Sequence, residues 1–94
     1  MIDPKLHSLI KVAETGSFTK AAAALMLTQP AISHHVHALE EELGVKIFDR
    51  VHNELHVTRE GETVIKYARR MLSLEARLRR DLTSETLRLT AVSL

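Results

Sequence analysis

Between residues 28 and 37 the chain carries Thr28-Gln29-Pro30-Ala31-Ile32-Ser33-His34-His35-Val36-His37, a run of short polar and amphipathic side chains around a proline. Their chemistry is hydrogen bonding to another surface rather than the making or breaking of bonds. A carboxamide, two hydroxyls and several imidazoles gathered at the opening of a helix suit a helix pushed end-first into the major groove of DNA. Catalytic patterns are missing. There is no paired-carboxylate geometry, no Gly-rich phosphate loop, no serine elbow and no cofactor motif, so an enzyme is not expected. His34 and His37 stand one helical turn apart, but no third ligand has suitable spacing and cysteine is absent, so no metal is expected either.

The elements that must hold this run can be read from caps and periodicity. Asp3-Pro4 opens a first helix whose stripe is Leu6, Leu9, Ile10, Val12 and Ala13, and Gly16 stops it. Ser17 caps a short second helix, Phe18 to about Met26, whose alanines 21–24 allow close backbone approach. Leu27-Thr28-Gln29-Pro30 is then a tight polar turn, with Thr28 capping a third helix that Gly44 ends. Ile32, Val36, Leu39 and Leu43 form its expected core face. Glu40, Glu41 and Glu42 oppose the helix dipole and would repel phosphate, which confines any DNA face to the first half.

Residues 45–58 change period. Val45, Ile47 and Phe48 make one short extended segment, Leu55 and Val57 a second, with a polar turn from Asp49 to Glu54 between them. A hairpin placed there is the wing of a winged helix-turn-helix. Thr58 can cap a long helix from Arg59 to about Thr83, with Gly61 permitting close packing on the hairpin. About 25 residues extend roughly 37 Å, so the helix must overhang the domain before it. Val64, Ala68, Met71, Leu78 and Leu82 form one apolar line on it, with Ile65, Leu72 and Ala76 beside them. One line can pack on the domain and the other is expected to bury itself against a second copy. Arg69, Arg70, Arg77, Arg79 and Arg80 read as a solvated face. The alternation of Leu87, Leu89 and Ala91 with polar residues predicts a final strand, loosely ordered, at the start of another domain.

The expected class is therefore mainly α: three helices and a two-stranded wing over residues 1–58, a linker and dimerisation helix over 59–84, and a truncated remainder over 85–94. Length allows one compact domain with an appendage, and 45% hydrophobic residues argue for a folded protein. The longest apolar run, Ala21 to Leu27, cannot span a bilayer and the N-terminus lacks a signal pattern, so a cytoplasmic location with no membrane partner is expected. Net charge is only +1, weak for a nucleic-acid binder. Five of the six histidines fall between residues 34 and 56. Protonation of His34, His37 and His52 near phosphates would strengthen binding at lower pH.

The residues just described resemble a known family. Gly16-Ser17-Phe18-Thr19, Ala21-Ala22, Leu25, Thr28 to Ser33, Leu39-Glu40, Leu43-Gly44, Phe48-Asp49-Arg50, Leu55, Thr58 and Gly61 look like the N-terminal domain of LysR-type transcriptional regulators, without a gap from residue 3 to about 84. The resemblance implies a homodimer, higher oligomers in a full-length protein, and pseudo-palindromic double-stranded DNA as partner. A small-molecule effector would act only through a C-terminal domain that is absent here. It places base-reading positions on Gln29, Pro30, Ser33 and His34, with His37 a turn further on. Gln29 can pair with adenine, and Pro30 or Ala31 can touch a thymine methyl. Ser17, Thr19 and Thr28 would contact phosphates. Dimer contacts would come from Val64, Ile65, Ala68, Met71, Leu72, Leu78 and Leu82. Two departures stand out: histidine at position 34, where the family often has arginine, and a wing tip reading Val51-His52-Asn53-Glu54. The acidic Glu54 leaves Arg50, His52 and Asn53 as the wing's contacts. Two other readings remain open: an assembly module that uses the fold for protein contacts only, and another winged-helix regulator of the molybdate-responsive kind.

Overall fold

The computed structural model describes the chain from Asp3 to Ser93, with side chains described as far as Glu85. Three short helices come first, and a capping side chain opens each. In α1 (Pro4–Thr15) the Asp3 carboxylate accepts from the Lys5 N–H at 2.9 Å, and Pro4 occupies the first turn, where no amide hydrogen is needed. In α2 (Phe18–Leu25) the Ser17 hydroxyl oxygen accepts from the Lys20 N–H at 3.1 Å. In α3 (Gln29–Leu43) the Thr28 Oγ1 accepts from the Ala31 N–H at 3.2 Å. Left-handed Gly16 and Gly44 end α1 and α3, whereas α2 ends at Met26, which takes φ 56° with a side chain present.

The core forms where the three apolar stripes meet. Leu9 and Val12 of α1, Ala21 and Ala22 of α2, and Ile32, Val36 and Leu39 of α3 are all buried. The two alanines leave room for α2 to lie close to both neighbours. Leu43, expected in this core, is 51% exposed instead. It is the last residue of α3.

The wing is an antiparallel pair, β1 (Phe48–Val51) and β2 (Glu54–Val57), with Phe48 opposite Val57 and Arg50 opposite Leu55. His52 and Asn53 make the connection, with φ of 52° and 65°. Left-handed backbone at both central residues is the two-residue turn whose twist matches that of the strands. The polar segment expected as a loop is thus mostly strand, because cross-strand pairing orders Asp49 to Val51. Phe48 and half-buried Leu55 face inward, and the Phe18 and Phe48 rings meet edge to face at 6.0 Å.

From Arg59 to Ser93 runs α4, 35 residues long. Thr58 sets its start: its Oγ1 accepts from the Gly61 N–H at 2.9 Å and its hydroxyl donates to the carbonyls of Lys46 and Ile47. Gly61 is a place only glycine fills. A Cβ there would run into the Ile47 carbonyl oxygen, with the carbonyl carbon at 2.9 Å. Ile65 and Ala68 are buried in the domain's own core, and Val64 and Leu72 pack against it. Those four, all expected at the dimer contact, anchor the helix to its own domain. Beyond Glu75 the described side chains are exposed, and the longest extent of the molecule is 64 Å. Helix continues through the segment expected as a strand from Leu87 to Val92. An isolated strand leaves its backbone donors and acceptors unpaired, whereas a continued helix satisfies them internally. The facing of Leu87, Leu89 and Ala91, and the whole of Leu94, lie outside the described residues. Among the described residues no helix is long and apolar enough to cross a membrane.

Candidate nucleic-acid interface

The N-terminal half of α3 carries polar side chains beside the buried Ile32 and Val36. Gln29, Pro30, His34 and His37 are exposed there, and Ala31 and Ser33 are half-buried beneath them. Gln29 is not free: its Nε2 donates to the Ser33 hydroxyl oxygen at 2.8 Å.

The wing folds back toward this helix and builds two clefts with it. One, of about 580 Å³, is lined by Ser17 and Thr19 from the start of α2, by Gln29, and by Arg50, Asn53 and Glu54 of the wing. The other, of about 280 Å³, holds His37, Lys46, Asp49 and Arg50 around the Phe48 edge. Arg50 stands between the two and lines both. Five of the residues expected to touch DNA thus share one polar cleft although they lie far apart in sequence. His52 occupies the wing turn and lines neither cleft. Glu54, expected to trouble the wing, lines the same cleft as Arg50, and its carboxylate lies 3.5 Å from the His56 Nε2.

Three features escaped the sequence reading. Glu40 does not stand free as one of three phosphate-repelling acids. Its Oε2 accepts from the Ile47 N–H at 2.8 Å and the Phe48 N–H at 3.4 Å, so it fastens the start of the wing to α3. Only Glu41 and Glu42 remain exposed. His35 leaves the group of available imidazoles, because its Nδ1 lies 2.6 Å from the hydroxyl of fully buried Ser8 and so ties α3 to α1. Lys46 adds a cation to the smaller cleft. A serine inside the first apolar stripe was the one available signal for the Ser8 contact. Among the described residues no group of three His, Cys, Asp or Glu could hold a metal ion.

On the far side, α1 and α4 border an apolar groove of about 540 Å³ lined by Leu6, Met71, Leu72, Leu74 and Leu78, with Asp3 and Glu75 at its margin. Met71, Leu74, Leu78 and Leu82 are exposed. Leu74 belongs with them, although the sequence reading left it out of the dimer set. Glu75 lies 3.7 Å from the His7 Nε2, an ion pair whenever that imidazole is protonated, and Arg69 lies 3.8 Å from Glu14. Both contacts brace α4 against α1.

Comparison with known proteins gives a consistent picture. A model of bacterial regulatory helix-turn-helix proteins of the lysR family matches residues 4–62. An uncharacterized HTH-type transcriptional regulator of Azotobacter vinelandii, from the ibpB-leuC intergenic region, is 44% identical over 79 residues, covering 84% of this chain and 55% of the relative. The chain therefore spans about half the length of that relative. The CbnR_DBD-DNA complex superposes with a TM-score of 0.83 at 34% identity, covering 92% of this chain and 99% of that one. The BenM_DBD/catB site 1 DNA complex does so at 0.81 and 34%, covering 88% and 92%.

Proposed function

The chain belongs to the lysR family of bacterial regulatory helix-turn-helix proteins, and on that premise we propose that it reads double-stranded DNA as a homodimer, within a transcriptional regulator. Residues 1–58 are the reader and residues 59–84 join it to its copy. The cleft that gathers Ser17, Thr19, Gln29, Arg50 and Asn53 is the observation that carries this reading. Phosphates seat against Ser17, Thr19, Thr28 and the wing and set the register. Gln29, Pro30, Ala31, His34 and His37 meet base edges in the major groove. Arg50, placed between the clefts, neutralises backbone charge despite the near-neutral chain, while His52 and Asn53 reach the DNA from the wing turn. No catalytic step is part of this function.

A single reader covers too few bases to select a site. Met71, Leu74, Leu78 and Leu82 pack against the same residues of a second copy across the groove beside α1, which fixes two readers on two half-sites. One observation favours a second reading, the net charge of +1, which suits a protein-assembly module. A salt titration against mixed-sequence duplex DNA separates the two. The proposed function gives an affinity that falls steeply as salt rises, with about 0.9 in logarithmic slope for each phosphate contacted. No binding even at low salt would leave the assembly module standing.

A further inference from the structure

We propose that Arg70 and Asp81 decide which chain α4 accepts as its partner, with Arg70 of each copy meeting Asp81 of a second copy laid antiparallel against it. The inference rests on the homodimer proposed above and concerns what makes that pairing selective. Exposed Met71, Leu74, Leu78 and Leu82 supply attraction without discrimination, since any apolar helix face could cover them. Charged groups bordering such a seam admit one partner and one register and reject the others.

Arg70 and Asp81 border the seam on the same side. They are eleven residues apart. That is close to three full turns, which puts them within about 20° of each other around the helix. Arg70 comes four residues before Leu74 and Asp81 three after Leu78, so each stands beside an apolar neighbour on the helix surface. Both are exposed, and among the described residues neither has an ion-pair partner in its own chain. The Arg70 guanidinium lies 5.2 Å from the Tyr67 ring centroid, a contact that keeps it on this flank. On the opposite flank Glu75 is engaged with His7, its carboxylate 3.7 Å from the Nε2.

The register follows from position. Met71 with Leu82, Leu74 with Leu78, and Arg70 with Asp81 are pairs centred at or immediately beside Ala76. A two-fold axis crossing the helix there sets each member against the other member in the second copy. An antiparallel pair thus joins apolar to apolar and Arg70 to Asp81 at both ends. A parallel pair would set Arg70 against Arg70 and Asp81 against Asp81. A slip of one turn would carry the opposite charges about 5.4 Å out of step. Each exposed ion pair is a weak contact, but symmetry supplies two, and reversing one charge turns both into repulsions. Self-pairing should then weaken roughly tenfold.

The test follows pairing of the whole chain at low salt, by sedimentation for self-association and by energy transfer between N-terminally labelled chains for mixed pairs. Arg70→Asp and Asp81→Arg should each self-associate roughly tenfold more weakly than wild type, with helix content unchanged. Mixed together they should pair about as tightly as wild type, because both contacts are again attractive. The exchanged variant Arg70→Asp/Asp81→Arg should self-associate like wild type yet refuse wild type as a partner. Arg80→Asp, which reverses a charge on the side of α4 away from the seam, should change nothing. Two weakened variants that fail to pair with each other would overturn the inference. So would an exchanged variant that mixes freely with wild type, or an Arg80→Asp loss as large as that of Arg70→Asp. Single variants that self-associate as tightly as wild type would overturn it while leaving the homodimer in place. A wild-type chain that stays monomeric would refute the homodimer itself, and this inference with it.

Discussion

Replacing Glu40 by alanine should destabilise the protein, although by sequence alone it should do the reverse. As one of three acids in the second half of α3, Glu40 opposes the helix dipole, and removing such a charge stabilises a helix by about 0.3–1 kcal/mol. In the folded chain its Oε2 accepts from the Ile47 N–H at 2.8 Å and, more weakly, from the Phe48 N–H at 3.4 Å. A hydrogen bond to a charged acceptor contributes about 1.5–3 kcal/mol, and a buried donor left without a partner costs about 1–3 kcal/mol. Ile47 is fully buried, so water cannot readily replace the lost acceptor. The half-exposed setting of Glu40 and the opposing dipole term trim the figure, leaving a net loss of about 2 kcal/mol. For a domain of this size that lowers Tm by roughly 10 °C. Thermal unfolding followed by far-ultraviolet circular dichroism, at one protein concentration so that dimerisation is held constant, measures it. Glu40→Gln keeps a carbonyl acceptor and should recover at least half of the loss. An alanine variant with an unchanged or raised Tm would refute the argument, since Glu40 would then be only another surface acid.

Four further outcomes follow from other contacts. Gly61→Ala should cost about 1–3 kcal/mol, because its Cβ would collide with the Ile47 backbone at the junction of wing and α4; denaturant unfolding reads the shift, and no change would mean that the junction yields. Arg50→Ala should weaken binding almost equally on all DNA sequences and lower the salt slope by about 1, whereas Gln29→Ala should cost about 1–3 kcal/mol on the preferred site and relax one position. Leu78→Glu places a charge in the apolar groove and should give a monomer by sedimentation at micromolar concentration with its helix content intact, whereas a surviving dimer would move the interface elsewhere.

Most of the elements were legible in the sequence because the signals that delimit them are local. Asp3, Ser17, Thr28 and Thr58 each bond an amide two or three residues away, so their caps hold in any surroundings that leave the helix formed. Helical spacing likewise separates the exposed Gln29, Pro30, His34 and His37 from the buried Ile32 and Val36 of the same run. The expectation failed at Leu87 to Val92, where alternation suggested a strand. Alternation shows which faces differ but supplies no partner, and the backbone remained helical.

What packing alone settled concerns contacts between residues remote in sequence. Glu40 reaches the Ile47 amide across seven positions, and Ser8 meets His35 across 27. No periodicity reveals such pairs. Two apolar lines on α4 looked equivalent until Ile65 and Ala68 were claimed by the domain core, leaving Met71, Leu74, Leu78 and Leu82 outside. The meeting of Ser17, Gln29, Arg50 and Asn53 likewise depends on the angle at which the wing returns to α3. That angle is held by the Glu40 clamp, the Thr58 hydroxyl and the absence of a side chain at Gly61. Residue types and spacing determine which groups are available to DNA, and the close approach of separate backbones determines which of them face it together.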